Sequence, residues 1–453
     1  MGTEQKNYTP LPSDIKVDRE YVEAYPLNWE VANQELINKI FNSRSHPEID
    51  EISVYIHNPF CPKICPFCNF NVVEYDSRLY KGYLKALNAE LQMYRDHPDI
   101  ADRKVTAIYF GGGTGSMLRP SDVEILLKGV SDIFAIDSAA EITVECHPNT
   151  VGERKFKEYQ SVGVNRVTLG IQSFDDANLT AIGRDHTADK NRRILAEALN
   201  IGFRNVGMDL MYRLPDQDIK NLVRDLETIA EFSPDTVSAY SLESDETALS
   251  GEKSRIPPDD VDREMFYLIG DYLKASGYAR YMQPDFALPG KECRYVMNAW
   301  QAPQKLLLGL GAGANTHYFG GHSWTNVYPV TEYIKALNSG CSSIVSGKGV
   351  DVEELKAKYM VLGVRGINIG KPEFQRLFGE ELVHNFRLQI ASLMARGWLQ
   401  DKGDTIEVTR QGLPYINNIS KVFYTARNVG KPQPWYNDIH TFIPKKFYKI
   451  GEK

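Results

Sequence analysis

The chain has 453 residues, 42% hydrophobic and 25% charged, a globular balance that excludes disordered, collagenous and disulfide-scaffold classes. Lys plus Arg number 52 against 59 Asp plus Glu, a formal charge of −7 that leaves no basic footprint for nucleic acid, and six cysteines are too few for a secreted disulfide framework. With no run of 18 apolar residues and no signal segment at the start, the expectation is a protein of the reducing cytoplasm with no membrane span and no nucleic-acid partner.

Residues 1–50 are polar and proline-punctuated, with Tyr21, Tyr25 and Trp29, and read as an arm plus a helix. From Glu51 a strand-helix rhythm begins. β-Branched runs at 52–57, 105–110, 141–146, 166–172, 205–212 and 236–242 alternate with helix-like segments at 79–94, 120–133, 188–201 and 218–232. Parallel neighbours need helical crossovers, and strands covered on both faces read as continuous apolar runs, so the fold class is α/β, a partial parallel (β/α)6 TIM-like barrel. Glycines and polar residues stand just after the strands, as in GGGT at 111–114, Glu145, Gln172 and Asp209, where barrel folds carry their sites.

After residue 345 the pattern changes. Helical stretches at 355–362 and 383–395 precede two strands around Lys402-Gly403 and a helix near 413–424, a winged-helix-like arrangement. Its wing, with Asp401, Lys402, Asp404 and Glu407, is not basic, which favours a packing role over DNA binding. The tail holds Trp435, Tyr436, Phe442, Phe447 and Tyr448 and reads as an ordered arm. The expected divisions are an N-terminal arm (1–50), the barrel (51–290), a connecting segment (291–345), the winged-helix-like domain (346–425) and the aromatic tail (426–453).

The sharpest chemical signal is Cys61-Pro-Lys-Ile-Cys65-Pro-Phe-Cys68, directly after the first strand. Clustered cysteines in a cytosolic protein bind metal or do redox work more often than they form disulfides. A structural zinc site wants four ligands, and no second pair exists: Cys146, Cys293 and Cys341 are scattered, although His57 could complete a site. An ordinary ferredoxin cluster also takes four thiolates. Three on a four-iron cluster leave one iron open to chelate S-adenosylmethionine (SAM). Glycines 111–113 let backbone groups approach a ligand closely, and Glu145, Gln172 and Asp209, with Arg184 in a following loop, suit ribose hydroxyls and a carboxylate.

The stretches YIHNPFCPKICPFC, YFGGGT, VECHPN, NRVTLGIQSF, MDLMYRLP and LLLGLGAGA resemble the radical SAM family of oxygen-independent coproporphyrinogen III oxidases, the HemN-like proteins, over roughly residues 50–425. The resemblance implies a [4Fe-4S] cluster on Cys61, Cys65 and Cys68 and two SAM molecules. Tyr55, Gly112, Glu145 and Asn315 match positions at one SAM; Phe67, Gly113, Thr114, Gln172, Arg184, Asp209 and Glu243 match positions across the two-SAM site. It also implies a small-molecule substrate and an electron donor such as flavodoxin or ferredoxin.

Several positions depart from the family. Its porphyrinogen oxidases carry Cys-Gly-Cys where this chain has Cys68-Asn69-Phe70, which argues against coproporphyrinogen decarboxylation. Its heme-chaperone branch has Asp, Gly and His where Asn69, Arg213 and Asn315 stand. Arg213 puts a cation at a strand end and is a candidate substrate contact, its alternative being a surface ion pair. Segments 285–295 and 321–326 are similar to class C radical SAM methyltransferases and cyclopropanases and to anaerobic heme-opening enzymes, and AYPLNW (24–29) to the family's substrate-covering arm. The expected activity is class C methyl or methylene transfer to an sp2 carbon. The alternatives are a tetrapyrrole-modifying enzyme, coproporphyrinogen dehydrogenase-like or heme ring-opening, and a heme chaperone.

Overall fold

The computed structural model describes residues 15–19, 22, 25–27, 29–101, 103–244, 247–431 and 443–452. Tyr21, Ala24 and Asn28 of the arm and Trp435, Tyr436 and Phe442 of the tail lie outside the described residues.

All six expected strands form, as β1 (Glu51–Asn58), β2 (Lys104–Gly112), β3 (Ala135–Cys146), β4 (Arg166–Gln172), β5 (Asn205–Tyr212) and β6 (Thr236–Ser241), each parallel to the next. Ile52, Val54 and Ile56 of β1 and Val105, Ile108 and Phe110 of β2 are fully buried, the burial that drives such apolar runs together. A seventh parallel strand, β7 (Leu306–Leu310), pairs with β1, and an antiparallel hairpin (Ala279–Arg280 and Asp285–Ala287) pairs with β6. Among the described residues the sheet thus has nine strands and does not close.

The crossovers are α1 (Ser77–Gln92), α2 (Pro120–Ser131), α3 (Glu153–Ser161), α4 (Ala188–Ile201), α5 (Ile219–Phe232) and α6 (Asp259–Ala275). Their ends carry standard signals. Asp76 caps α1 through the amides of Arg78 and Leu79; Thr187 caps α4, which stops at left-handed Gly202; Asp218 and Asn221 form a capping box on α5.

A smaller sheet lies beyond β7, in the order Glu30–Val31, Ile344–Gly349, His322–Asn326, Asn315–Thr316. Thr316, Trp324 and Gly347 lie across from one another on one face, where Trp324 packs on Phe41 and Tyr94. By the two-residue alternation of a strand, Asn315, Ser323, Thr325, Ser346 and Lys348 share the opposite face, with His317 continuing the line of Asn315.

A second apolar core, including Met360, Val364, Phe374, Phe386, Leu393, Ile406 and Ile419, organises the C-terminal part. The helix Val352–Arg365 is buried at every position from Glu354 to Arg365. The wing is a sheet of three strands: the two expected, Leu399–Asp401 and Thr405–Val408, are joined by Asn368–Gly370. Lys371 pairs with Asp401 at 2.6 Å on this wing. The arm docks here: Asp18 N donates to Asn418 Oδ1 (2.9 Å), Tyr25 OH to Glu354 Oε2 (2.8 Å), Leu27 N to Asn428 Oδ1 (2.6 Å), and Arg365 Nη1 to Val22 O (2.7 Å). Among the described residues no helix is long and apolar enough to cross a membrane.

Candidate functional site

The cysteine loop is held at both of its ends. Phe60–Cys61 pairs with Val73–Glu74, Val73 N donates to Pro59 O (2.8 Å) and Tyr75 N to Cys61 O (3.0 Å). Phe60 anchors the base, fully buried and edge-on to Tyr80 and Tyr83. Two glycines let the rest of the protein approach. A Cβ on Gly113 would stand 2.8 Å from Pro59 O and 3.0 Å from Cys61 Sγ; one on Gly183, already left-handed at φ 71, would meet Pro66 Cδ at 2.5 Å. Thr114 Oγ1 donates to Cys61 Sγ and Arg184 Nη1 to Cys65 Sγ, both at 3.4 Å. Arg184 is itself oriented, donating through Nε to His186 Nε2 at 3.0 Å and through Nη2 to Gly170 O.

Burial pushes the Cys61 thiol up to about 11 and raises Cys68, with the Arg184 charge opposing both. Metal binding must therefore displace protons from these thiols. His57 does not complete a zinc site. Its Nε2 lies 2.9 Å from Asn71 O and its Nδ1 3.2 Å from the Tyr55 hydroxyl, and burial lowers its pKa to about 4. Among the described residues no three His, Cys, Asp or Glu groups converge as a single ion requires. Three thiols on one loop, with a charge-assisted donor on Cys65, fit a four-iron cluster in which each thiolate would take one iron and the fourth iron would stay open.

Inside the barrel, the rings of Tyr109 and Tyr295 stack at 4.4 Å, and Tyr55 lies near parallel to both at 6.1 and 5.9 Å. Glu145, at the end of β3, accepts from Tyr109 OH (2.8 Å) and from Gly112 N (3.0 Å). Burial raises its pKa. Asp209 on β5 is pushed up to about 7 by burial, then by the charges of Glu145 and Asp285, with Arg166 and Arg184 pulling the other way. Below it the buried Arg166 donates to Asn205 Oδ1 (3.2 Å) and Thr236 Oγ1 (3.0 Å).

The remaining expected residues fall into two groups. Phe67 packs on the cluster of Ile182, Met211, Leu214 and Leu242, beside the cysteines. Gln172 closes β4 at φ 68 with its Oε1 buried and unpartnered among the described residues, an arrangement that calls for a ligand donor. Asn315 sits above β7, its backbone against Gly309, and accepts from Thr325 Oγ1 at 2.5 Å; Gly309 is level with Tyr55. Glu243 is half-buried just past β6. Arg213 stands apart. Its Nε donates to Pro257 O (2.9 Å) and its Nη2 pairs with Asp259 (3.3 Å), which Arg19 also engages.

Sequence reading missed Tyr109, Tyr295 and His186. Tyr109 hides in the apolar run VTAIYF, where only its two-residue offset from Gly111 marks the inward face. Tyr295 comes from a short helix (Arg294–Trp300) that carries no motif.

A model of the radical SAM superfamily matches residues 55–226. The chain is 31% identical over 383 residues to the heme chaperone HemW of Lactococcus lactis subsp. lactis (strain IL1403), covering 82% of this chain and 97% of that protein. It is 29% identical over 386 residues to the heme chaperone HemW of Escherichia coli (strain K12), covering 83% and 99%. Among solved structures, coproporphyrinogen III oxidase (HemN) from Escherichia coli, a radical SAM enzyme, superposes with a TM-score of 0.75 at 22% identity, over 87% of this chain and 94% of that one. That likeness shows the fold.

Proposed function

This chain belongs to the HemN-like family of radical SAM proteins, and from that premise we propose that it binds heme, or a closely related carboxylated tetrapyrrole, at the mouth of its barrel. A [4Fe-4S] cluster and SAM are the cofactors of this family. When bound, the cluster would supply one electron to SAM, whose reductive cleavage would give methionine and a 5′-deoxyadenosyl radical.

The protein's own part is to hold and shield these groups. On this reading Cys61, Cys65 and Cys68 ligate the cluster. Arg184 offsets negative charge beside Cys65, and Gly113 brings its backbone within reach of Cys61. Tyr55, Gly112, Glu145 and Asn315 serve one SAM. Phe67, Gly113, Thr114, Gln172, Arg184, Asp209 and Glu243 line the rest of the two-SAM site. An acidic electron carrier such as flavodoxin or ferredoxin reduces the cluster, and the free state of all six cysteines suits a reducing cytoplasm.

The observation that carries the ligand assignment is the likeness to heme chaperones over nearly their whole length. Class C methyl or methylene transfer, the leading expectation from short segments of sequence, has no such support and gives way to it. The test is an anaerobic hemin titration of reconstituted protein alongside SAM turnover. Stoichiometric hemin binding without heme-coupled release of 5′-deoxyadenosine supports a chaperone. Catalytic loss of hemin with equivalent 5′-deoxyadenosine would replace it with a ring-opening enzyme, and failure to bind hemin would sink the assignment.

A further inference from the structure

Arg184 makes three separate hydrogen bonds, one to the cysteine loop, one to β4 and one to His186. Nη1 donates to Cys65 Sγ at 3.4 Å, Nη2 to Gly170 O, and Nε to His186 Nε2 at 3.0 Å. Gly170 gives the guanidinium its room, since a Cβ there would stand 3.1 Å from Nη2. An arginine side chain has many rotamers and a planar fork, so bonds along more than one edge are what fix its aim.

His186 suits this part because it is buried and uncharged. It is 6% exposed, and His147 meets its ring edge-on at 5.1 Å. Burial, then the Arg184 charge, draw its pKa down to about 4, with Asp185 opposing and Lys190 adding to the effect. A neutral imidazole offers one lone pair, here at Nε2, and carries its proton on Nδ1. A carboxylate in the same place would also accept from Nε, but it would cancel the charge that Arg184 brings to Cys65. Asp185, the next residue, instead accepts from Asn149 Nδ2 (3.0 Å) and lies 3.6 Å from His147 Nε2. The cation is thus oriented by a neutral group, and its charge stays on the sulfur side.

We propose that His186 is a positioning residue: through Nε2 it holds the Arg184 guanidinium on Cys65, and so makes a cluster on that loop easier to reduce. This rests on the cofactor reading of the preceding section and gives a role to a residue outside the thiolate and SAM sets. The direction follows from charge. One-electron reduction adds one negative charge beside Cys65, and a cation fixed there favours the reduced state.

Two measurements on the full-length protein test the role. After anaerobic reconstitution, the midpoint potential of the cluster is read by spectroelectrochemical titration, which does not depend on turnover. His186→Leu should make reduction about tenfold less favourable, which is about 59 mV for one electron. His186→Gln, which is long enough to place an amide oxygen near Nε, should stay close to wild type. In an Arg184→Met background His186→Leu should shift nothing further, because the histidine acts only through the arginine. An unchanged potential in His186→Leu, an equal shift in His186→Gln, or the full shift persisting beside Arg184→Met would overturn the proposal. Before reconstitution, nitrogen-15 spectra of histidine-labelled protein report the tautomer. His186 should carry its proton on Nδ1 at neutral pH and lose that preference in Arg184→Met. An Nε2–H imidazole in the wild type refutes the hydrogen bond and the role with it. If the wild type assembles no cluster, the cofactor reading fails, and the tautomer then decides the positioning role alone.

Discussion

Gly113→Ala tests whether the cysteine loop depends on a backbone approach that only glycine permits. The new methyl would stand 2.8 Å from Pro59 O and 3.0 Å from Cys61 Sγ. Carbon atoms in contact rest at roughly 3.5–4.0 Å, so the backbone at Pro59 and the thiol must both retreat by about half an ångström or more. Neither neighbour is a flexible tip. Pro59 O is fixed by Val73 N, and Cys61 is tied through Tyr75 N and Thr114 Oγ1. Overpacking of this kind costs about 1–3 kcal/mol, so cluster assembly should weaken by roughly 5- to 150-fold. Gly251→Ala is the control, because a Cβ there meets nothing within 4 Å. Iron and sulfide content, absorbance near 400 nm and melting temperature are measured after anaerobic reconstitution. Gly113→Ala should lose most of its iron while Gly251→Ala keeps it. A Gly113→Ala protein with full iron and an unchanged melting temperature would refute the reasoning.

Alanine at Cys61, Cys65 or Cys68 should abolish iron binding, whereas Cys146→Ala, Cys293→Ala and Cys341→Ala should retain it, as read by iron analysis. Asp209 has a pKa raised to about 7, so the folded apoprotein binds a proton that the unfolded chain releases near its ordinary value. Its contribution therefore falls as pH rises from about 4 to 7, and Asp209→Asn should gain stability relative to wild type across that window in thermal melts; a constant difference would contradict the assignment. Arg213→Gly removes an ion pair to a largely exposed Asp259, worth about 0–1 kcal/mol, and relieves a left-handed backbone at φ 61. Its melting temperature and hemin affinity should stay near wild type, and a selective loss of hemin affinity would restore Arg213 as a substrate contact.

The barrel was legible because its strands are β-branched runs buried on both faces. Helix α3 was not, since only Phe156 and Tyr159 face inward among nine mostly charged residues. β7 lay within the stretch LLLGLGAGA, too short and glycine-rich to separate from its turn by periodicity. The segments behind the methyl-transfer expectation contribute strands and core residues as well as Tyr295. Residues 285–287 form a strand between β6 and the edge strand Ala279–Arg280, and Trp324 of the GHSWTN stretch is sealed in the core under the small sheet. Nothing in SGKG or LKAKYM marks Lys348 and Lys358 as buried, and only the packing of distant segments takes them out of water.

The docking of the arm bears on synthesis. Its partners, Glu354, Arg365, Asn418 and Asn428, lie between 329 and 401 residues further along the chain. Such contacts close very long loops and form late. On the ribosome the barrel strands emerge first and fold as a unit, while the arm waits for the last hundred or so residues. The cysteine loop and the strands around it are complete before those partners are synthesised. A chain truncated before Glu354 should then still accept a cluster in a coupled translation reaction while leaving its arm open to protease.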